Sequence, residues 1–196
     1  MTHEEMRLRT KQALADALKE LMQTKSLDKI TVKDLITKCN VNRKTFYYYF
    51  TDVYDLLRWI LESDAENLVR QFDLITDLED GLVATMNYIE ANNHILKSAF
   101  NAVGRDMIKT FLQDYIMELC LIYVDRFAKQ ADAKVTEDYK RFVCDFYCNA
   151  ISDTIIEWIQ HIKHMDKQEV ASYMSSVLLS PITVVLQNDP TIEARR

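Results

Sequence analysis

An all-α fold is predicted by three observations. The 196 residues hold only two glycines and two prolines (Gly81, Gly104, Pro181, Pro190), too few turn formers for the many connections of an all-β or α/β chain. Apolar residues recur at the i, i+3, i+4, i+7 spacing of one helical face in segment after segment. Residues that cap helices stand at the head of several of these segments. A content of 48% hydrophobic and 28% charged residues is that of a globular chain. The length suits one large domain or two small ones, enough to bury a core.

The first helix is predicted from about Met6 to Lys25, with Leu14, Ala17, Leu18 and Leu21 on its buried stripe and a ragged polar start over Thr2 to Arg9. Thr31 followed by Asp34 starts a second helix: the hydroxyl accepts from an orphan N–H, and the carboxylate lies at the positive end of the helix dipole. Val32, Leu35 and Ile36 share one face, and the helix stops near Cys39-Asn40, where Asn tolerates the left-handed conformation. Val41 supplies the buried residue of the turn. Asn42 caps a short third helix, about Asn42 to Tyr48, with Phe46 and Phe50 four apart and facing inward. Asp52 caps a fourth helix through Leu56, Leu57, Trp59, Ile60 and Leu61 toward Phe72, so that a helix, not a flexible linker, leads into the rest of the chain. Beyond Asp77, helices are expected near 79–98, 104–131, 136–163 and 166–187, with Thr136 and Asp166 as caps. No internal repeat or low-complexity segment interrupts them.

Residues Ile30 to Trp59 thus read as a helix-turn-helix with a docking helix behind it. Lys33, Arg43, Lys44, Thr45, Tyr47 and Tyr48 are left outside, on and beside the third helix. A short helix offering such side chains from its first turns fits a DNA major groove about 12 Å wide. Thr45 and Tyr47 suit phosphate oxygens, Arg43 suits a guanine edge through its planar fork, and Lys44 suits either. The bland alternative is an amphipathic pair with a solvated basic face, but the unbroken order of cap, core, turn, cap and aromatic cluster argues against it. The charge of −6 divides unevenly: residues 1–60 carry eleven Lys+Arg against eight Asp+Glu, a balance of +3, and residues 61–196 carry −9. Attraction to phosphate depends on the local basic surface, not on the overall balance. Arg7, Arg9 and Lys11 lie either near DNA or in a solvated, fraying end.

The segment resembles the DNA-binding domain of TetR-family transcriptional regulators. Thr31-Val32-x-x-Leu35, Val41 and Thr45-Phe46-Tyr47-Tyr48-Tyr49-Phe50 carry the likeness, which spans about residues 8 to 60. It implies groove and phosphate contacts from Thr31, Lys33, Asn42, Arg43, Lys44, Thr45, Tyr47 and Tyr48. Two positions depart from the pattern: Asn40 replaces the usual turn glycine, and Val53 stands where the family has a phosphate-contacting lysine. It also implies two domains: a three-helix helix-turn-helix domain over 1–60, and a helical effector-binding and dimerisation domain over 61–196. A homodimer on double-stranded operator DNA is the expected assembly, with a palindromic operator and a repressor released by an effector as the mode of action.

In the body, the last two predicted helices are apolar on more than one side, which asks for burial on more than one face. Ile155, Trp158, Ile159 and Ile162, with Met174, Val177, Leu178 and Val185, are the expected isologous interface between two subunits. Met86, Phe100, Met107, Phe111, Tyr115, Tyr123 and Tyr147 have the composition of an effector pocket, and equally that of an ordinary helical core. Cys144 and Cys148 share a helical face with no ligand partner close in sequence, since His161 is about 20 Å further along the helix; inert buried thiols are expected, with no metal and no cofactor. No Gly-rich phosphate loop, nucleophile elbow or His-Glu-x-x-His motif is present, so no catalysis is expected. Without a signal-like or membrane-spanning apolar run, the expected location is the cytoplasm, with reduced cysteines. A second reading rests on Tyr88-Ile89-x-x-Asn92-Asn93-x-x-Leu96-Lys97, which resembles the TetR subgroup around the dihydroxyacetone-kinase operon activator. That likeness implies control by a protein partner and a role as an activator.

Overall fold

The computed structural model describes residues 2–72, 77–130, 132–160 and 166–187. Among these the regular structure is entirely helical: α1 (His3–Leu21), α2 (Val32–Cys39), α3 (Arg43–Tyr49), α4 (Val53–Val69), α5 (Leu78–Ala91), α6 (Asn93–Val103), α7 (Arg105–Gln130), α8 (Glu137–Gln160) and α9 (Lys167–Gln187), with one 3-10 turn at Leu27–Lys29. The chain forms two compact units. The first comprises Met1–Leu68 together with Asn92–Gly104; the second comprises Val69–Ala91 and Arg105–Arg196. The chain therefore passes between units three times, at 68–69, 91–92 and 104–105, and α6 is an insertion into the first unit from the middle of the second.

In the first unit, α1 starts earlier than its apolar periodicity suggests. Thr2 and Glu5 form a capping box: Thr2 N donates to Glu5 Oε2 at 2.8 Å, and Glu5 N donates to Thr2 Oγ1 at 3.2 Å. The predicted ragged start is thus an ordered one. Leu14, Ala17 and Leu18 are buried as the stripe required. The helix ends at Leu21, not Lys25, and the chain turns into the 3-10 segment, which the apolar pattern is too short to reveal. Leu27 at its head is buried, and its N–H donates to Ser98 Oγ of α6 at 3.0 Å.

α2 repeats the capping box: Thr31 N donates to Asp34 Oδ2 at 2.8 Å and Asp34 N donates to Thr31 Oγ1 at 3.2 Å. Lys25 adds an ion pair to the same carboxylate at 2.7 Å. The helix closes at Asn40, whose φ of 53° and ψ of 41° are left-handed, while Val41 N donates back to Ile36 O at 3.2 Å. Val41 itself is half-buried, less than the turn was expected to hide. α3 begins on Asn42, whose Oδ1 accepts from Thr45 N at 2.7 Å. α4 begins on Asp52, whose Oδ1 accepts from Asp55 N at 2.8 Å. Leu14, Leu18, Leu35, Phe46 and Leu56 are wholly withdrawn from solvent and form the centre of this unit.

The single helix predicted over 79–98 is two. α5 stops at Ala91, and Asn92 leaves helical geometry at φ −105°, ψ 17°. Two consecutive asparagines of low helix propensity mark the break, and Ile95 N and Leu96 N both bond Asn92 O.

In the second unit, α7 and α8 form an antiparallel hairpin. Its register is visible in cross-links from one end to the other: Lys140 Nζ to Asp125 at 2.7 Å, Gln113 to Asn149 at 2.8 Å, and Lys109 Nζ to Asp153 at 2.8 Å. Val124 and Ala128 of α7 meet Val143, Cys144 and Tyr147 of α8 in one core. α9 closes over it with Leu178 and Val185, and Tyr139 Oη donates to Val185 O at 3.2 Å. The expected caps form: Thr136 Oγ1 accepts from Tyr139 N, and Asp166 Oδ1 from Gln168 N and Glu169 N.

Replacing Asn40 by valine forces a β-branched residue into the left-handed region and should cost about 1–2 kcal/mol, whereas Asn40→Gly should stay within about 0.5 kcal/mol of the parent. Urea melts of the two variants check this; equal effects would contradict the backbone argument. The bond to Lys25 first, then those to Thr31, hold the Asp34 carboxyl down at about 2. A lowered folded value means that its contribution is present above about pH 4 and is lost as pH falls toward 2. Asp34→Asn should lower the urea midpoint at neutral pH, with the gap to the parent closing over that acid range. A gap of constant size would contradict the charged role.

Candidate nucleic-acid interface

The residues expected at DNA lie on α2, α3 and the caps that start them. Thr31, Lys33, Asn42, Arg43, Lys44, Tyr47 and Tyr48 are exposed, and Thr45 is half-buried. What aims them is the opposite face of α3. Phe46 is 0% exposed and Phe50 almost as deeply buried, their ring centres 6.0 Å apart. Phe50 in turn meets Trp59 of α4 at 5.8 Å. Lys11 of α1 places its ammonium 4.9 Å from the Trp59 ring centre and 5.4 Å from that of Phe50. Lys11 therefore covers the aromatic cluster, a contact of about 0.5–2 kcal/mol. Val53, at the position of the family's lysine, is buried.

Two of the expected contacts are first of all caps. The Thr31 hydroxyl donates to Asp34 Oδ2 at 2.9 Å, and the Thr45 hydroxyl donates to Asn42 Oδ1 at 3.0 Å. Both hydroxyl hydrogens are directed into the protein, so these residues set the start of each helix. Arg43 and Tyr47, one turn apart, form a pair: the guanidinium carbon lies 5.6 Å from the ring centre, and Nη2 donates to Tyr47 Oη at 3.4 Å. Tyr48, 66% exposed, stands edge-on to Tyr49 at 4.8 Å.

The cations on and around the helix-turn-helix differ in their partners. Lys19, Lys25, Lys38 and Arg58 are tied to Asp64, Asp34, Glu20 and Asp55 at 2.6–3.0 Å. Lys33, Arg43 and Lys44 make no ion pair among the described residues. Uncompensated charge beside a short projecting helix is what exchanges counterions with a DNA backbone. Arg7 of α1 joins this surface through Tyr48, with its guanidinium carbon 6.0 Å from the ring centre. That neighbour was not identifiable from the motif, because forty residues of chain separate the two and only tertiary packing brings them together.

The other expected sites are dispersed or internal. Met86 lies buried on α5, Phe111, Tyr115 and Tyr123 half-buried on α7, and Tyr147 in the core between α7 and α8. Met107 is 60% exposed, and Phe100 sits on α6 in the first unit. Of the expected dimer residues, Trp158 and Ile159 are buried within their own subunit, and Leu178 and Val185 pack on the α7–α8 core. The amphipathic pattern identified apolar faces without saying which of them the monomer covers. Ile155 and Met174 are half-buried and Val177 is exposed, while Ile162 lies outside the described residues. Other apolar side chains of the same two helices, Phe142 and Phe146 at 64% exposure and Tyr173, stand out to solvent. Cys144 and Cys148 are buried; burial pushes the thiols up, to about 11 for Cys144 and about 12 for the neighbouring Cys120, so they are protonated and poor nucleophiles at neutral pH. His161 and His164 lie outside the described residues. No helix among the described residues is long and apolar enough to cross a membrane.

Comparison with known proteins agrees with this geometry. Residues 14–59 match the model of bacterial regulatory proteins of the tetR family, and residues 76–180 match a transcriptional regulator C-terminal region. The chain is similar to the dhaKLM operon transcriptional activator DhaS of Lactococcus lactis subsp. lactis (strain IL1403), with 26% identity over 89% of this chain and 91% of that protein. An HTH-type transcriptional regulator of Staphylococcus aureus (strain USA300) is 17% identical over 88% and 94%. Among solved structures, the dihydroxyacetone kinase operon activator DhaS superposes with a TM-score of 0.69 at 24% identity, covering 89% of this chain and 97% of that one. A TetR-family regulator from Syntrophomonas wolfei gives 0.65 at 19% identity over 90% and 95%. With the helix-turn-helix matched at one end and the regulatory region over more than half of the chain, the protein belongs to the TetR family of DNA-binding transcriptional regulators, which are not enzymes.

Proposed function

We propose that the protein is a homodimeric repressor that occupies a palindromic operator through two copies of α3 one helical turn apart, about 34 Å. The observation that carries this reading is the uncompensated set of Lys33 on α2 with Arg43 and Lys44 on α3, the helix anchored by buried Phe46. Arg43 takes a base edge, with Tyr47 holding its guanidinium plane. Lys33, Lys44 and the Tyr47 and Tyr48 hydroxyls take phosphates, while Thr31, Asn42 and Thr45 set the helix starts at the DNA surface. The subunits join through the exposed apolar side chains of α8 and α9, Phe142, Phe146, Tyr173 and Val177, with Ile155 and Met174 at the margin. An effector in the second unit favours an arrangement of the two heads that no longer matches the operator. α4, which runs to the unit boundary, and the inserted α6 are the covalent routes for that signal.

A second reading is activation under the control of a protein partner. The likeness to DhaS, named as an operon activator, extends over nine-tenths of the chain and supports the activating role. A reporter behind DNA from beside the gene separates the two. Deleting the gene raises expression if the protein represses and lowers it if the protein activates; no change in either direction contradicts both.

Arg43→Ala should weaken operator binding by about 1–3 kcal/mol and relax one base position, with much less loss on random duplex. Equal loss on both duplexes would remove the base-reading role. Phe146→Glu should yield a monomer by sedimentation and lower operator affinity about 100-fold through lost bivalency; a variant that stays dimeric contradicts the assigned interface.

A further inference from the structure

Arg7 lies on α1, outside the helix-turn-helix, with its guanidinium carbon 6.0 Å from the centre of the Tyr48 ring. Three observations give this contact a function. Arg7 is exposed and makes no ion pair among the described residues, although Glu5 is two residues away; that carboxylate is engaged by Thr2 N at 2.8 Å. Tyr48 is 66% exposed on the helix that faces DNA, so whatever rests on its ring stands at the edge of that surface. Lys11, one turn on and therefore on the same face of α1, is seated over Trp59 and Phe50, which fixes the rotation of α1 against the aromatic cluster.

We propose that Arg7 is a further DNA-contacting residue, binding a backbone phosphate of the duplex beside the groove that α3 enters. The inference rests on the assignment of α3 to DNA. The Tyr48 ring holds the guanidinium at the edge of this surface, and its planar fork of N–H groups suits two phosphate oxygens. The contact carries no base information; it adds one charge per subunit to the sequence-independent part of binding and helps set the register of the head on the duplex. Arg9 is the internal comparison: it is equally charged and exposed but two residues on, about 200° around the helix, and has no aromatic contact.

The test is the salt dependence of binding to a random-sequence duplex, which needs no knowledge of the operator. Parent, Arg7→Ala, Arg7→Lys and Arg9→Ala proteins are compared as full chains. For Arg7→Ala the slope of log K against log salt should fall in magnitude by about 0.9 for each subunit bound. Arg7→Lys, which keeps the charge, should restore most of that slope, and Arg9→Ala should leave it at the parent value. An unchanged slope in Arg7→Ala, or an equal change in Arg9→Ala, overturns the assignment of Arg7 alone. A parent protein that shows no salt-dependent binding overturns the DNA role of α3 and this contact with it.

Discussion

The side chain of Phe46 is completely withdrawn from solvent, set edge-on to Tyr47 at 5.4 Å and tilted against Phe50 at 6.0 Å. α3 has seven residues, too short to be stable as an isolated helix. Its place in the domain therefore comes from tertiary burial, and one ring of this size contributes about 3 kcal/mol when it leaves water. Because Phe46 points inward, helical geometry turns Lys44, Tyr47 and Tyr48 outward, and Arg43, the first residue of α3, is exposed as well. The outward direction of these side chains is thus a consequence of core packing. The same core reaches Trp59 through Phe50, so that α4 and, through Lys11, α1 share the constraint.

Electrostatics then divides the labour among side chains that look alike in the sequence. Lys19, Lys25 and Lys38 meet a carboxylate of the same unit, Lys11 covers an aromatic cluster, and Lys33 and Lys44 do neither among the described residues. Lys25 and Lys33, eight residues apart, fall on opposite sides of that division, because Asp34 closes on the first at 2.7 Å and the second projects from α2 without a partner among the described residues. Hydroxyls divide in the same way: those of Thr31 and Thr45 point into caps, and that of Tyr47 accepts from Arg43 at the surface.

The second unit is organised by a helical hairpin whose register is set by polar cross-links and whose core is small, with Ala128 and Cys144 at its centre. Of the aromatics of α8, Tyr147 and Trp158 are buried, and Phe142 and Phe146 are left outside. Phe142 and Phe146 lie one turn apart on the outward face, while Val143 and Tyr147, each one residue further on, face in. The apolar character of α8 therefore serves two surfaces, one internal and one that a solvated monomer would leave uncovered.

Local chemistry determined a great deal of this protein. The sparse glycines and prolines, the capping pairs Thr31–Asp34 and Asn42–Thr45, the left-handed Asn40, and Phe46 four residues before Phe50 act within a few residues of one another, so the all-helical class, the helix-turn-helix and the buried face of α3 could be read directly from the chain. The Thr2–Glu5 box was equally local and equally readable, although the apolar stripe alone starts later. Tertiary structure decided the rest. It placed α6 with the first unit, seated Lys11 on Trp59 and Arg7 beside Tyr48, and hid Trp158 and Ile159 while exposing Phe142 and Phe146. The physical reason is the same in each case: helical periodicity identifies an apolar face, but which neighbour covers that face is settled only when distant segments compete to bury it.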